Sequence, residues 1–149
     1  MADENSSCTG WLVVPVPPGG SATFEIAFVS KLPHAFSRTG YHDDFFMAAQ
    51  WYPKLGVYEG AARGMPGGNG WNCHQYHAST EFFADYGAYA VRITAPEAYA
   101  GKIAATGRED AAARASVNGK TTEVFRAEDV HDFAWAADPE FVVWPDDFA

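Results

Sequence analysis

Alternation of apolar and polar side chains predicts the first clear strand in the sequence. Phe24, Ile26 and Phe28 alternate with small or polar residues, so an extended backbone would place all three on one face. Residues 11–16 are also predicted to form a strand, which the Pro and Gly residues at 17–20 would end. We therefore expect two early strands, the second of them half buried.

Further strand candidates follow at intervals of roughly 8–15 residues, each bounded by turn residues. They are residues 45–51, 81–94 with a break near Gly87, 102–106, 121–127 and 131–137. In the second of these, Tyr89, Val91 and Ile93 share one face. Asn118-Gly119 is typical of a tight hairpin turn with positive φ at both positions, and the alanine-rich residues 108–116 predict either a helical turn or an elaborated β connection. The pattern favours an all-β, mostly antiparallel β-sandwich.

Composition supports one compact core. The chain has 149 residues, of which 48% are hydrophobic and 15% aromatic, and this argues against disorder. We expect a disordered tail at residues 1–9, a single β domain over residues 10–143 and a C-terminal tail at residues 144–149.

Charge and hydropathy exclude several classes of partner. The net charge is −9 and the basic residues are scattered, so nucleic acid is not an expected partner. No apolar run approaches membrane-spanning length, and no basic segment followed by an apolar one opens the chain, so we expect a soluble chain without an export signal or membrane partner. Cys8 and Cys73 allow at most one disulfide, and a free buried thiol is equally compatible, which leaves the compartment undetermined.

Candidate chemistry is concentrated between residues 45 and 81, but no H-E-x-x-H zinc-peptidase motif occurs. Several imidazoles instead lie near carboxylates. If they bound a metal, the ligands would be His74, His77, His42 and His131. Such ligands suit zinc, and Asp44 or Glu81 would then assist a metal-bound water in hydrolysis. The alternative is that these histidines are structural hydrogen-bond donors.

Several ordered motifs occur together over roughly residues 10–143. They are Lys31-Leu32-Pro33, residues 38–46, residues 50–58, residues 70–77, residues 81–87, Ala105-Thr106-Gly107 and residues 130–135. In this order they resemble the N-terminal β domain of bacterial members of the aminopeptidase N family of gluzincin zinc metallopeptidases. The resemblance implies a saddle-like, mostly antiparallel β-sandwich. In full-length relatives, which are expected to be exported, this domain packs on a catalytic peptidase domain and helps to wall the substrate cleft.

The resemblance also implies that catalysis belongs to a domain following Phe141, so the chain is expected to be an interior piece truncated at both ends. In many relatives an acidic residue ahead of a motif like Tyr52-Pro53 recognises the substrate's free amino group. The corresponding residue here is Asp43 or Asp44, and Trp51 is a further candidate substrate contact together with Tyr52.

Three functional hypotheses follow. The first is a non-catalytic β module with a structural or substrate-positioning role and no cofactor. The second is a stand-alone, zinc-dependent hydrolase of ester, phosphoester or peptide bonds, and the third is a carbohydrate or peptide binder with an aromatic platform. Because truncation would expose a sheet edge and an aromatic surface, we also expect a homo-oligomer, in the form of a two-fold dimer joined through either feature.

Overall fold

The computed structural model describes residues 14–35, 38–60, 68, 70–72, 83–142 and 144. In these ranges the regular structure is almost entirely β. The strands are β1 (Thr39–His42), β2 (Phe45–Ala48), β3 (Val57–Glu59), β4 (Gly70–Asn72), β5 (Gly87–Pro96), β6 (Ile103–Ala105), β7 (Arg108–Glu109), β8 (Ala115–Val117), β9 (Lys120–Val130) and β10 (Trp135–Ala137). Short 3₁₀ turns lie at Glu97–Tyr99 and Ala111–Ala113. The predicted all-β class is confirmed, and the sandwich arrangement stays a prediction.

The chain divides into two compact units. The first comprises Met1–Phe28 with Pro53–Phe83, and the second comprises Val29–Tyr52 with Ala84–Ala149. Units of this kind occur within single domains as well as between domains. The prediction of one domain over residues 10–143, with tails on either side, therefore stays a prediction.

The first unit contains the antiparallel pair of β3 and β4. Tyr58 lies opposite Trp71 in this pair, and their ring centroids are 5.2 Å apart in an edge-on arrangement. The Nδ2 atom of Asn72 donates a hydrogen bond of 2.8 Å to Oε2 of Glu59. Cross-strand contacts of this kind hold a short ribbon in register.

The second unit contains two larger antiparallel sheets. One has the strand order β1-β2-β10-β6, and the other has the order β5-β9-β7, with β8 also paired to β9. β5 and β9 pair from Gly87↔Val130 to Pro96↔Lys120, with a register shift between Gly87 and Tyr89. A two-residue turn joins β8 to β9, and φ is 53° at Asn118 and 72° at Gly119. The hairpin predicted from this dipeptide is confirmed.

The core of the second unit draws on both of its sheets. Its buried cluster consists of Tyr99, Ile103, Phe125, Phe133 and Ala137. Tyr89, Val91 and Ile93 on β5 pack against this cluster, as their predicted shared face requires. Phe133 has no exposed surface at all. The ring of Tyr89 on β5 lies 5.9 Å from that of Phe133, so the apolar face of the longest strand pair contributes to the burial of Phe133.

One strand prediction is wrong. Residues 21–33 form no strand, and Phe24, Ile26 and Phe28 are 52%, 57% and 44% exposed instead of half buried. Alternation identifies the side chains that would share a face, but a strand also needs a neighbouring backbone with which to form hydrogen bonds. The described part of the strand predicted at 11–16 is likewise without regular structure at residues 14–16.

The other predicted strands differ from the observed ones in their bounds, and the strand predicted at 121–127 is longer, because β9 runs from Lys120 to Val130. The strand predicted at 45–51 ends at Ala48, the one predicted at 131–137 begins only at Trp135, and the long strand begins at Gly87. The alanine-rich stretch contains both predicted alternatives, because its 3₁₀ turn lies between β7 and β8. In the first two cases, residues that were predicted to lie in the strand instead follow β2 or precede β10, and several of them form the side-chain contacts described in the next subsection.

Candidate functional site

A hydrogen-bonded group centred on Asp132 lies in the second unit. Asp132 is in the connection from β9 to β10, and Gln50 and Tyr52 follow β2. Gln50 Nε2 donates to Asp132 Oδ2 at 2.7 Å, and Tyr52 Oη donates to Oδ1 at 2.8 Å. The backbone N–H of Phe133 also donates to Oδ1, at 2.8 Å. A carboxylate held by several donors fixes two distant chain segments against each other.

Two tyrosine hydroxyls extend this group, because Tyr52 Oη lies 2.9 Å from Tyr89 Oη on β5. A phenol has one proton, and a carboxylate can only accept. Tyr52 therefore gives its proton to Asp132, and Tyr89 donates to Tyr52. The two rings meet edge to face at 6.1 Å. Gln50, Tyr52, Tyr89 and Asp132 are hereafter called the Asp132 network.

Burial and hydrogen bonding control the protonation state of Tyr52. Burial is the largest cause that raises the pKa of Tyr52 far above its ordinary value, and the hydrogen bond that Tyr52 donates to Asp132 raises it further, as does the charge of Asp132. The neutral phenol is therefore the form that the fold stabilises. A tyrosine in this state donates a hydrogen bond and does not act as a base at neutral pH.

Trp51 lies beside the network. Its Nε1 donates to the backbone oxygen of Phe133 at 2.9 Å, and its ring meets Tyr52 edge to face at 5.1 Å. Ser30 Oγ donates to the backbone oxygen of Trp51 at 2.8 Å. Trp51 and Tyr52, predicted as substrate contacts, thus make internal contacts with the β9–β10 connection.

The two predicted amine-binding carboxylates, Asp43 and Asp44, form the two-residue turn between β1 and β2, where His42 pairs with Phe45. Asp43 has a φ of 50°, and its side chain is 90% exposed. The backbone oxygen of Asp44 accepts a 2.9 Å hydrogen bond from Tyr99 Oη. The turn is therefore anchored through its backbone while both carboxylates face water.

A shallow, open depression adjoins this turn. Its lining residues are Ser30, Lys31, Leu32, Tyr41, Asp43 and Phe46. Lys31 and Asp43 are the charged residues of this lining, and Leu32 and Phe46 are among its apolar ones. Open surroundings screen charges strongly, so an ammonium group would bind here only weakly.

The described histidines have local partners. His42 Nε2 lies 3.5 Å from Asp43 Oδ2, with both side chains exposed. His131 Nδ1 lies 2.9 Å from the backbone oxygen of Ala84, which can only accept, so Nδ1 carries the proton. The ring of His131 also packs at 4.0 Å on Tyr86. Among the described residues, no group of three or more His, Cys, Asp or Glu could hold a metal ion.

Other predicted residues lie outside the described ranges. These are His74, His77, Glu81, Cys8 and Cys73. The zinc-dependent alternative, which depends on the first three, stays a prediction.

No protein-family model, curated protein or solved structure matches the chain. The resemblance to the aminopeptidase N family therefore depends on the sequence motifs alone. None of the helical turns in the described ranges is long and apolar enough to cross a membrane.

A second polar cluster was not predicted from the sequence. Glu123 on β9 is fully buried, and its Oε1 accepts a 2.6 Å hydrogen bond from the N–H of Gly101. Arg114 Nε lies 3.7 Å from the same oxygen, and Arg114 Nη2 lies 2.7 Å from Glu109 Oε1. The pKa of Arg114 lies above its ordinary value, chiefly because of the hydrogen bond to Glu109; burial lowers the pKa, and the charges of Glu123 and Glu109 each raise it to a smaller extent. The sequence could have indicated the burial of Glu123. Side chains two positions apart on a strand point to the same face, and Glu123 lies between the inward-facing Thr121 and Phe125 on β9.

Proposed function

We propose that this chain is a non-catalytic β module whose polar motif residues hold the fold and whose acidic turn meets a cationic group of a ligand. This is the role that the resemblance to the N-terminal domain of zinc aminopeptidases implies. A substrate-positioning domain needs a stable scaffold and an accessible charge, and it needs no nucleophile of its own.

The Asp132 network is the observation that carries this proposal. Gln50, Trp51 and Tyr52 belong to one resembling motif and Asp132 and Phe133 to another, and their polar groups bond to each other within one unit. Side chains that form such internal hydrogen bonds hold two segments of the chain together, and this is a structural role rather than a chemical one. Folding therefore accounts for the polar residues of these two motifs.

The turn at Asp43 and Asp44 supports the second half of the proposal. Two adjacent carboxylates are exposed on a backbone that Tyr99 anchors, so their position is defined while their charge is free to meet an ammonium group. Weak affinity in the isolated chain is expected, because water screens the pair until a neighbouring domain or ligand covers it.

Metal analysis and hydrolysis assays test the absence of catalysis. We expect purified, folded protein to carry no stoichiometric zinc and to leave aminoacyl-anilide, ester and phosphoester substrates intact. Hydrolysis that is lost with a chelator, and also lost in His74→Ala or His77→Ala, would contradict the proposal and establish the hydrolase alternative instead. His34→Ala provides the matched control, since the exposed His34 is not among the candidate zinc ligands.

Peptide titration tests the amine-binding turn. We expect a short peptide with a free N-terminus to shift the NMR resonances of residues 42–45 at millimolar concentration, and its N-acetylated form to leave them unchanged. Asp43→Asn and Asp44→Asn should weaken the shifts, whereas Glu128→Gln, at an exposed site on β9, should not. Equal shifts with both peptides would show that the turn does not recognise an amine.

The aromatic-binder hypothesis has support from a different surface. Tyr58 and Trp71 lie opposite each other in the first unit, and they are 58% and 59% exposed. An exposed aromatic pair of this kind can stack on a sugar or a planar side chain. Oligosaccharide titration should quench the fluorescence of the wild-type protein more than that of Trp71→Phe if this surface binds carbohydrate.

A further inference from the structure

The segment from Thr23 to Phe28 has the side-chain pattern of a strand without a sheet. Phe24, Ile26 and Phe28 are exposed and alternate with Thr23, Glu25 and Ala27. Residues 23–28 do not form a strand, as described above. An extended stretch with one apolar face gains most by joining the edge of an existing sheet.

β5 offers such an edge. In the described part of the chain, its only neighbour in the sheet is β9, although β5 is ten residues long. Edge strands are usually protected by charged side chains, proline or a bulge. β5 has a register shift at Gly87/Tyr89 and a proline at position 96, and between them Arg92 is the one charged residue of residues 89–95. Among the described residues no strand lies on the other side of β5, so the outward-facing half of the backbone groups of residues 89–95 can pair with a further strand.

The two segments match in one antiparallel register. With Glu25 opposite Arg92, the remaining pairs are Thr23 with Thr94, Phe24 with Ile93, Ile26 with Val91, Ala27 with Ala90 and Phe28 with Tyr89. Phe24, Ile26 and Phe28 then each lie beside a residue on the core face of β5, and the one acidic residue lies opposite the one basic residue. A slip by one position would place Phe24 or Ile26 beside Arg92, so the register is well specified.

We propose that residues 23–28 of one copy of this chain add as an antiparallel strand to the free edge of β5 in a second copy, with Glu25 facing Arg92. The partner is a second copy because both complementary segments are present in this chain and because residues 23–28 belong to no strand within one copy. Reciprocal addition would give a closed two-fold dimer in which each copy supplies one strand and one edge. This inference does not depend on the proposed function.

A charge exchange tests the pairing. We expect light scattering to give a dimer mass for the wild-type chain at tens of micromolar. Glu25→Arg and Arg92→Glu should each raise the dimer dissociation constant on the order of tenfold, because like charges would face each other in both reciprocal sites. The double variant should return to within about threefold of wild type, as expected for directly coupled residues. Glu128→Arg, on β9, is the control and should leave the dimer unchanged.

Circular dichroism and melting temperature verify that the variants fold, since Glu25, Arg92 and Glu128 are exposed. A single-chain mass at tens of micromolar would overturn the proposal. A dimer that is insensitive to both single charge changes would also overturn it.

Disulfide trapping tests the register and the identity of the partner. In a Cys8→Ser/Cys73→Ser background, chains with Thr23→Cys are mixed with chains carrying Thr94→Cys, and cross-linked dimers are detected without reductant. We expect these directly opposed positions to form a bond, and the offset pair of Thr23→Cys with Ala90→Cys to form little or none. Equal cross-linking of both pairs would contradict the register. One chain can also carry both Thr23→Cys and Thr94→Cys. If its disulfide forms within a single chain at low protein concentration, residues 23–28 pair with β5 of the same copy, and the proposed pairing between copies is wrong.

Discussion

At the scale of single residues, the Asp132 network makes Tyr52 more important for stability than its sequence position suggests. Removing the hydroxyl in Tyr52→Phe deprives Asp132 of a donor and Tyr89 of an acceptor. We expect a loss of about 1–3 kcal/mol in the free energy of unfolding at pH 7, measured by urea denaturation. Tyr41→Phe is the matched control, because its hydroxyl lies 3.2 Å from the exposed His34, and it should cost less than about 1 kcal/mol. Equal losses in the two variants would contradict a structural role for the network.

Tyr52 should also give the stability an alkaline dependence. Its pKa is raised in the folded state, so above the ordinary tyrosine pKa of about 10 the unfolded chain loses a proton that the folded chain retains. The free energy of unfolding should therefore be insensitive to this group below pH 10, and then fall by about 1.4 kcal/mol per pH unit for each such tyrosine.

The pKa of Tyr99 is also raised, chiefly by burial and then by the charges of Asp44 and Asp138. Tyr52→Phe and Tyr99→Phe should each reduce the alkaline slope, measured by urea denaturation at several pH values from 8 to 11. An unchanged slope in Tyr52→Phe would exclude this assignment.

Arg114 and Arg126 form a contrasting pair of ion contacts. Arg114 faces the fully buried Glu123, whereas Arg126 meets Asp110 at 3.3 Å and is 62% exposed. Arg114→Gln leaves a buried carboxylate with less compensation, and we expect it to cost about 1–3 kcal/mol. Arg126→Gln should cost less than about 1 kcal/mol. Urea denaturation at pH 7 measures both, and an equal cost would show that Glu123 does not depend on Arg114.

At the scale of elements, the sequence predicts what local chemistry determines. Asn118-Gly119 defines a hairpin, and alternation along β5 defines its core face, because both depend on neighbouring residues only. The same alternation at Phe24, Ile26 and Phe28 predicts a strand, and this prediction is wrong because the segment has no neighbouring strand among the described residues. Whether an extended segment finds a neighbouring strand depends on the rest of the fold, and no local pattern contains that information.

Alanine substitutions at two glycines with positive φ allow the cost of left-handed backbone strain to be measured apart from the cost of a steric clash. Gly119 has a φ of 72°, and a Cβ there would meet no atom within 4 Å. Gly107 has a φ of 88°, and a Cβ there would collide with the backbone of Arg126 on β9. Gly119→Ala should cost about 1–2 kcal/mol, which is the left-handed strain alone. Gly107→Ala should cost clearly more in a thermal or urea denaturation experiment. Similar costs would mean that the turn after β6 moves freely away from β9.

At the scale of the whole molecule, the candidate site was less predictable than the strands. Gln50 and Tyr52 are 82 and 80 residues from Asp132 in sequence, yet they bond to one carboxylate. The sequence identifies both motifs but not their contact, because the contact depends on the order β2-β10 in one sheet and β5-β9 in the other. The sequence shows directly which residues are histidines and could bind a metal. It does not show what they contact, because the partners of the described histidines depend on the fold.

The sheet order also predicts how protection against amide hydrogen exchange varies along the second unit. β9 is paired with β5 on one side and with β7 and β8 on the other, and it holds the buried residues Val124, Phe125 and Ala127. Its central amides should open only with the whole unit, and they should therefore exchange most slowly. β1, at the edge of the other sheet, should exchange faster by at least about tenfold. Exchange measured by NMR at neutral pH provides the test, with the exposed amides near Val29 as the unprotected reference. If β1 and β9 exchanged at the same rate, β9 would not be the centre of a cooperative unit, and the pairings on its two sides would contribute less to stability than their length suggests.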